Sequence, residues 1–227
     1  MSAQGAASEA PIAAAARLKI TETFYSLQGE ADAVGWPTFF IRLTGCPLRC
    51  QYCDTAYAFT GGEWRDVGTL VAEARQSGAR HVCVTGGEPL AQKNCLALLA
   101  QLCDAGLQVS LETSGAIDAS SVDPRVVRVI DIKTPGSGES HRNLDLETQN
   151  LRDRDLVKFV ICNRADYEWS REFVRSRRLD TRCAVLFSPS YQQQPAAQLA
   201  DWILADRLPV RFQLQLHKIL WGDVAGR

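Results

Sequence analysis

Three cysteines, Cys46, Cys50 and Cys53, fall close together in one short segment of the chain. Cysteine thiolates bind zinc and the iron of iron–sulfur clusters. A structural zinc site takes four protein ligands, and no fourth Cys or His lies nearby in the sequence. Three cysteines on a cubane cluster would leave one iron open to an external ligand. The spacing therefore favours a [4Fe–4S] cluster, and a zinc site that recruits Cys83 or His81 is the alternative.

The remaining cysteines do not form a second group. Disulfide frameworks belong to small secreted domains, whereas here one tight group is accompanied by isolated cysteines, which favours a metal site in a reducing compartment. Those in apolar stretches are predicted to be small core residues. The isolated cysteines are Cys83, Cys95, Cys103, Cys162 and Cys183.

A second polar motif, Gly86-Gly87-Glu88-Pro89, closes an apolar segment. Two glycines let the backbone approach a ligand closely, and the Glu88 carboxylate can pair with an ammonium group. A plain turn would use the same residues. Because the motif follows a predicted strand downstream of the three cysteines, we favour a ligand site.

Three later segments carry polar residues at the ends of predicted strands in the same way. They are residues 111–115, 131–136 and 187–191. For each segment an ordinary turn is an equally good explanation. The Gly136-Ser137-Gly138 sequence lacks the Gly-Lys-Ser/Thr ending of a phosphate-binding loop, so it does not predict nucleotide binding.

Alternating strands and helices are predicted to position these motifs. Helical spacing of apolar residues appears at Val67, Leu70, Val71 and Ala74, and again around Leu102 and Ile203. Strands that alternate with helices predict a mostly parallel sheet with its chemistry at the carboxyl ends of the strands. A complete eight-unit barrel takes about 250 residues, so we expect an α/β fold with a partial or reduced (β/α) barrel. The predicted strands are residues 18–24, 38–44, 81–85, 108–113, 126–132, 156–161, 184–187 and 210–216.

Composition limits the class of ligand. The chain has 227 residues, 46% of them hydrophobic, and a net charge of -1. That balance gives no basic surface for nucleic acid, and no apolar run approaches the length of a membrane helix. We therefore expect a small-molecule substrate and a cytoplasmic location. No Lys or Arg precedes Arg17, so residues 1–16 are interpreted as a flexible extension rather than a signal peptide, and residues 17–227 as one domain.

The Cys-x3-Cys-x2-Cys spacing, with Tyr52 before the third cysteine, resembles the signature of the radical S-adenosylmethionine superfamily. In that superfamily the open iron binds the amino and carboxylate groups of S-adenosylmethionine. Reduction then releases a 5'-deoxyadenosyl radical that abstracts a hydrogen from the substrate. The resemblance implies cosubstrate contacts at Tyr52, Cys53, Asp54, Gly86, Gly87, Glu88, Glu112, Ser114, Lys133, Thr134, Pro135, Ser188, Pro189, Ser190 and Tyr191.

Within the superfamily, the segments 26–30, 53–55 and 85–89 are similar to those of the 7-carboxy-7-deazaguanine synthase family. The similarity runs from about Thr21 to His217. It implies conversion of 6-carboxy-5,6,7,8-tetrahydropterin to 7-carboxy-7-deazaguanine, with loss of ammonia, in queuosine biosynthesis. It also implies an electron donor such as flavodoxin or ferredoxin, and a homodimer.

The same resemblance assigns residues to the substrate and to Mg²⁺. Thr55 is expected to bind Mg²⁺ through its hydroxyl, which suits an ion that keeps several waters. An ordinary loop hydroxyl at Thr55 and a surface charge at Arg42 are the alternatives. The residues expected to contact the pterin are Leu27, Gln28, Gly29, Glu30, Arg42, Thr85 and His217.

The resemblance leaves one loop and one alternative function open. After Glu30 the chain has Ala31 where the family usually has glycine, so the resemblance does not assign the path of this loop. A radical S-adenosylmethionine activase, which generates a glycyl radical on another protein, is the alternative function. Such an enzyme also carries three cysteines, but this alternative assigns no role to the segments 26–30 and 53–55.

Overall fold

A computed structural model describes residues 16–226 of the chain. The predicted extension, residues 1–16, lies outside this range except for Ala16, which packs against the core. The strands are β1 (Arg17–Leu27), β2 (Pro37–Leu43), β3 (Glu63–Asp66), β4 (His81–Gly86), β5 (Gln108–Thr113), β6 (Val127–Ile132), β7 (Leu156–Ile161), β8 (Ala184–Pro189) and β9 (Arg211–Phe212). The helices are α1 (Val67–Gln76), α2 (Cys95–Asp104), α3 (Asp145–Gln149), α4 (Arg164–Arg177), α5 (Ala196–Ala205) and α6 (Leu216–Trp221). None of these helices has both the length and the apolar character needed to cross a membrane.

All nine strands form one sheet in the order β3-β1-β2-β4-β5-β6-β7-β8-β9. From β2 to β9 every neighbouring pair is parallel, while β1 is antiparallel to both β2 and β3. Within the described residues β3 and β9 are the two edges of the sheet. The predicted α/β fold with a partial, mostly parallel barrel is therefore confirmed.

Residues of each strand alternate between two faces of the sheet, as β-strand geometry requires. In β7, Val157, Phe159 and Ile161 pack into a core with helical residues such as Tyr167 and Val174. A similar core lies between β2, β4, β5 and the helices α1 and α2. We call this helix-covered side the convex face and the opposite side the concave face. The concave face carries the polar and charged residues of the site.

The parallel register brings the predicted motifs to one edge of the sheet. Leu43, which precedes the cysteine segment, is paired with Gly86, and Arg42 is paired with Thr85. Because parallel strands end at the same edge, the segments that follow β2, β4, β5, β6 and β8 lie side by side. The strands therefore bring together motifs that are far apart in the sequence.

Most of the predicted elements are confirmed, and the last one is wrong. The strands at residues 108–113 and 156–161 have the predicted bounds. The predicted strand at 210–216 is reduced to Arg211–Phe212, and Leu216 begins α6 instead. The helix α4 was not predicted, because its buried stripe includes Asp166 and Ser170 among few apolar residues.

Candidate active site

The cysteine loop follows β2 directly and is fixed by backbone contacts. Gly45, in the left-handed region at φ 98°, donates its N–H to the carbonyl of Ala58 at 2.8 Å. The N–H of Gln51 donates to the carbonyl of Ser137 at 3.0 Å. The thiols of Cys46, Cys50 and Cys53 are half-buried. The loop therefore presents the three predicted cluster ligands from a fixed backbone.

Burial raises the pKa of each of these three thiols, and the negative charges they would carry as thiolates add to the shift at Cys50. The pKa of the Cys50 thiol is raised to about 11. Lys133 lies close enough to lower all three values partly, and its own ammonium is held by Asp131 at 3.1 Å. A bound metal deprotonates its cysteine ligands, so these thiols fit the iron cluster that the spacing predicts.

The alternative zinc site is excluded by the register of the sheet. His81 is paired with Thr38 at the start of the parallel strands, whereas the cysteine loop follows their other end. At about 3.3 Å per residue, His81 is roughly 16 Å from that end. Cys83 is fully buried within β4. Cys95 is buried as predicted, and all eight cysteines are free thiols.

Gly86, the last residue of β4, and Gly87 bring the end of this strand against the cysteine loop. The N–H of Gly87 donates to the carbonyl of Leu43 at 3.1 Å, and the N–H of Glu88 donates to that of Gly45 at 2.8 Å. A Cβ atom at Gly87 would lie 2.2 Å from the Gly45 carbonyl oxygen and 2.9 Å from the Cβ of Cys46. Only glycine permits this approach, so the motif helps to shape the cluster site.

The Glu88 carboxylate is fully buried and turned toward the end of β5. It accepts hydrogen bonds from the Ser114 N–H at 2.7 Å, the Ser114 hydroxyl at 2.6 Å and the Thr113 hydroxyl at 3.0 Å. The Leu90 N–H donates to the same carboxylate. These contacts make Glu88 a positioning residue for the β5 end, and a direct contact with the cosubstrate ammonium stays a prediction.

Buried polar atoms without partners lie beside the cysteine loop. Within residues 16–226, the hydroxyls of Tyr52 and Ser188 and one carboxylate oxygen of Asp131 are buried and make no hydrogen bond. A buried polar group without a partner costs about 1–3 kcal/mol. These orphaned atoms therefore fit a polar molecule bound over the cluster loop, as S-adenosylmethionine would be. Asp131 was not among the predicted contacts.

The other predicted cosubstrate residues fall into two groups. Lys133, Thr134 and Pro135 follow β6, and the Thr134 hydroxyl donates to the carbonyl of Val160 at 3.0 Å, so it supports the loop. The second group, Pro189, Ser190 and Tyr191, lines a mainly apolar cavity of about 380 Å³ together with Leu214 and Ile219. An apolar cavity beside polar strand ends suits a flat ring such as adenine.

All seven residues predicted to contact the pterin line a single cavity on the concave face. Phe24, Phe40 and Glu112 complete its walls. Glu112 was predicted to contact the cosubstrate, but the structure places it in this cavity, where it accepts a hydrogen bond from the Thr85 hydroxyl at 3.1 Å. The predicted members are Leu27, Gln28, Gly29, Glu30, Arg42, Thr85 and His217.

Arg42 faces both this cavity and a second one. Its Nε donates to the Glu22 carboxylate at 2.7 Å, and its guanidinium lies over the rings of Phe24 and Tyr57. The second cavity, of about 230 Å³, is lined by Arg42, His217 and Thr55 among others. Arg42 is therefore not a free surface charge, and it stands where a substrate carboxylate could meet it.

Thr55 and Asp54 place a hydroxyl and a carboxylate, both able to act as metal ligands, in the second cavity. The Thr55 hydroxyl donates to an Asp54 carboxylate oxygen at 2.8 Å, and Lys218 pairs with the other oxygen at 3.2 Å. Hydroxyl and carboxylate oxygens are ligands that Mg²⁺ accepts. The donor set fits the ion, and binding of Mg²⁺ at Thr55 stays a prediction.

Two carboxylates, the Arg42 guanidinium and the Lys158 ammonium set the electrostatics of the pterin cavity. Burial alone would raise the pKa of Glu30, but its charged and hydrogen-bonding partners, Lys158 first among them, together outweigh burial and lower that pKa. Burial and the charge of Glu30 together raise the pKa of Glu112. Burial lowers the pKa of His217, which favours its neutral form. The cavity thus contains one firmly ionised carboxylate and one that is easier to protonate.

Lys158, which forms an ion pair with Glu30, belongs to no recognisable sequence motif. The sequence signal that could have identified it is its position, because Lys158 is the one charged residue in the apolar strand β7. Glu22 and Gln215 were also missed; Gln215 donates to Glu30 at 2.8 Å. Each of these residues acts through a contact that is distant in sequence.

A family model described as the radical SAM superfamily matches residues 40–175. The chain is 42% identical to a 7-carboxy-7-deazaguanine synthase of Chlorobaculum tepidum, over 92% of this chain and 97% of that protein. The chain belongs to the 7-carboxy-7-deazaguanine synthase family of the radical S-adenosylmethionine superfamily. Enzymes of this superfamily use a [4Fe–4S] cluster and S-adenosylmethionine.

Further relatives and a solved structure agree with this family. Synthases of Koribacter versatilis and Methanospirillum hungatei are 39% and 41% identical, over 90% and 95% of this chain and 97% and 91% of theirs. The crystal structure of QueE from Escherichia coli matches with a TM-score of 0.73 at 25% identity, over 88% of this chain and 95% of that one.

Proposed function

We propose that this chain converts 6-carboxy-5,6,7,8-tetrahydropterin to 7-carboxy-7-deazaguanine, with loss of ammonia. The observation that carries the proposal is the single cavity that contains all seven residues predicted to bind the pterin. This cavity shares Arg42 and His217 with the cavity of Thr55, which follows the cysteine loop. Family membership and this arrangement support the same activity.

Cys46, Cys50 and Cys53 would hold the cluster, and the ends of β4, β6 and β8 would hold S-adenosylmethionine. When bound, these groups supply a 5'-deoxyadenosyl radical that abstracts a hydrogen from the substrate. The protein binds, orients and shields the reacting groups. Gly87 keeps the β4 end close to the cluster loop, and Glu88 holds the neighbouring β5 end in place.

The substrate cavity contains complementary groups for a carboxylated pterin. The Arg42 guanidinium would pair with the substrate carboxylate, beside a Mg²⁺ ion bound at Thr55. The carboxylates of Glu30 and Glu112 would accept hydrogen bonds from the N–H groups of the pterin ring. The aromatic rings of Phe24 and Phe40, stacked 4.7 Å apart, form an apolar wall.

The remaining expectations belong to the same proposal. The chain would receive its electron from a flavodoxin or ferredoxin, act in the cytoplasm and form a homodimer. The side chains of Tyr25 and Trp36 are about half exposed, at 53% and 52%. Exposed aromatic residues are enriched at protein interfaces, which supports the dimer. Size-exclusion chromatography of Trp36→Asp against the wild type checks this, with a monomer expected for the variant.

An anaerobic turnover assay tests the proposed activity. The protein, reconstituted with iron and sulfide, is incubated with a reductant, S-adenosylmethionine, Mg²⁺ and 6-carboxy-5,6,7,8-tetrahydropterin. Mass spectrometry is expected to show 7-carboxy-7-deazaguanine without any partner protein. Cys50→Ala serves as the control that lacks a cluster ligand. An intact cluster that cleaves S-adenosylmethionine but leaves the pterin unchanged would refute the proposal.

A further inference from the structure

Lys158 occupies an unusual place in the sheet. It is the fourth-to-last residue of β7, a strand otherwise built from Leu, Val, Phe and Ile. Because residues of a strand alternate, Lys158 points to the concave face while Phe159 packs in the helix-covered core. In register it stands beside Asp131 of β6 and Leu186 of β8. A lysine at such a position is rarely buried without a partner.

Its partner is Glu30, which lies 128 residues earlier in the chain. The two side chains form an ion pair, and each is only 11% exposed. The second oxygen of Glu30 accepts a hydrogen bond from Gln215 at 2.8 Å. Both oxygens of this carboxylate are therefore held, one by the sheet and one by the C-terminal segment.

Glu30, in the loop that follows β1, is connected by hydrogen bonds to residues that line the substrate cavity. The Glu30 N–H donates to the side-chain oxygen of Gln28 at 3.3 Å, and the Gln28 amide donates to Glu112 at 3.5 Å. The Gly29 carbonyl accepts the N–H of Leu216 at 3.0 Å. A contact that fixes Glu30 therefore also bears on Gln28 and Gly29, the two residues before it, which line the cavity.

We propose that Lys158 is a positioning residue for the substrate: its ammonium holds Glu30, and with it the segment 27–30, against the concave face of the sheet. Lys158 itself does not line the cavity. It also places one positive charge beside two carboxylates, in a site that has to accept an anionic substrate. This inference rests on the proposed function and adds a residue to it.

The test compares variants of the anaerobically reconstituted protein. Lys158→Met is expected to raise the KM for the carboxylated pterin roughly 10- to 100-fold, as loss of outer-shell partners does. Cluster absorbance and the cleavage of S-adenosylmethionine without pterin are expected to stay within about twofold of wild type, because Lys158 acts on the pterin side. Arg171→Met removes the cation of the Arg171–Asp206 pair between α4 and the end of α5, and is expected to leave the KM unchanged.

A double variant separates positioning from folding. Lys158→Met with Glu30→Gln removes both charges of the pair rather than one, so it should fold at least as well as Lys158→Met. The KM of the double variant should rise by less than the product of the fold-increases in Lys158→Met alone and Glu30→Gln alone, because both substitutions remove the same contact. An unchanged KM in Lys158→Met, or a parallel loss of cluster and uncoupled cleavage, overturns the proposal. Failure of both variants to fold would also overturn it, since the pair would then serve the fold.

Failure of the proposed function and failure of the proposed role of Lys158 give different results. If the wild type does not convert the carboxylated pterin, the proposed function fails before any variant is compared. If the wild type converts it and Lys158→Met does so with the same KM, only the role of Lys158 fails. Equilibrium binding of the pterin gives a second measure of the same effect without turnover.

Discussion

Gly29 and His217 meet in the wall of the substrate cavity. A Cβ atom at Gly29 would lie 2.1 Å from Nδ1 of His217. We predict that Gly29→Ala displaces the imidazole and raises the KM for the pterin at least about tenfold, a cost of about 1.4 kcal/mol in binding. Steady-state kinetics measure the effect. Gly68→Ala is the matched control, because Gly68 lies in α1 with no atom near the added methyl.

The buried imidazole of His217 also makes stability depend on pH. Burial lowers its pKa in the folded protein below the ordinary value of 6.5. The unfolded chain then binds more protons than the folded one below pH 6.5, so stability falls with decreasing pH. The stability that the neutral His217 imidazole contributes is fully present above pH 6.5, and it is lost as the pH falls through the pKa that His217 has in the folded protein.

Denaturant unfolding of the anaerobic protein between pH 5 and pH 8 tests this. We predict a shallower loss of stability at acid pH for His217→Asn than for the wild type. The exposed His141→Asn should keep the slope of the wild type. The same slope in all three proteins would show that His217 is not the group responsible.

Residue identities in the site could be predicted where they belong to local motifs. Gln28, Glu30 and Thr85 were assigned from such motifs, and the structure places them around one cavity. Lys158 could not be assigned, because its role depends on a partner 128 residues away. The path of the loop after Glu30 could not be predicted because the chain has Ala31 there, and Ala31 adopts a left-handed φ of 63°. Glycine adopts this conformation without strain, which agrees with the glycine usual in the family.

At the scale of elements, Glu88 joins the turn after β4 to the end of β5. We predict that Glu88→Gln lowers the free energy of unfolding by about 1–3 kcal/mol, because an amide cannot accept all the hydrogen bonds that the carboxylate receives. Affinity for S-adenosylmethionine should fall as well, since Ser114 loses its support. Denaturant unfolding and equilibrium binding measure the two effects.

Glu63→Gln provides the comparison for this substitution. Glu63 is exposed on the edge strand β3, so its change to an amide should alter unfolding by no more than about 0.5 kcal/mol. If Glu88→Gln were equally mild, its hydrogen bonds to the β5 end would contribute little to the fold.

Elements with a strong apolar period were predicted well, and weakly apolar ones were not. The strand β5 is revealed by its alternation of apolar and polar residues, and β7 by a nearly continuous apolar run. The edge strand β3 has no buried residue, so its sequence gives no such signal. Between residues 210 and 216 the apolar residues predicted a longer strand, but Gln213 turns away to bond the loop after β1. A contact across the molecule therefore overrides the local pattern.

At the scale of the whole molecule, the C-terminal segment 213–217 is joined to the loop 29–31. The Gln213 side chain accepts the Ala31 N–H at 2.7 Å and donates to the Ala31 carbonyl at 2.9 Å. In this closed arrangement the substrate cavity encloses only about 60 Å³. Arg42 and His217 also line the second cavity, of about 230 Å³, so the joined segments form part of the wall of both cavities.

We predict that Gln213→Leu loosens this connection. Two buried backbone groups of Ala31 lose their partners, at a cost of about 1–3 kcal/mol each. Hydrogen–deuterium exchange should become faster in peptides that cover residues 28–36 and 213–221, and not in those that cover β5. Gln101→Leu, on the exposed side of α2, is the control. Unchanged exchange in Gln213→Leu would show that other contacts hold the segments together.

The joining of these two distant segments has a consequence for biosynthesis. The cysteine loop and the strands β2 to β7 are translated before Gln213 and His217. A nascent or prematurely terminated chain can therefore present the three thiols without a finished pocket for the pterin. Loading of iron and sulfur at that point would leave a redox-active centre open to water and oxygen, so cluster insertion is best timed after residues 213–217 have joined the loop 29–31.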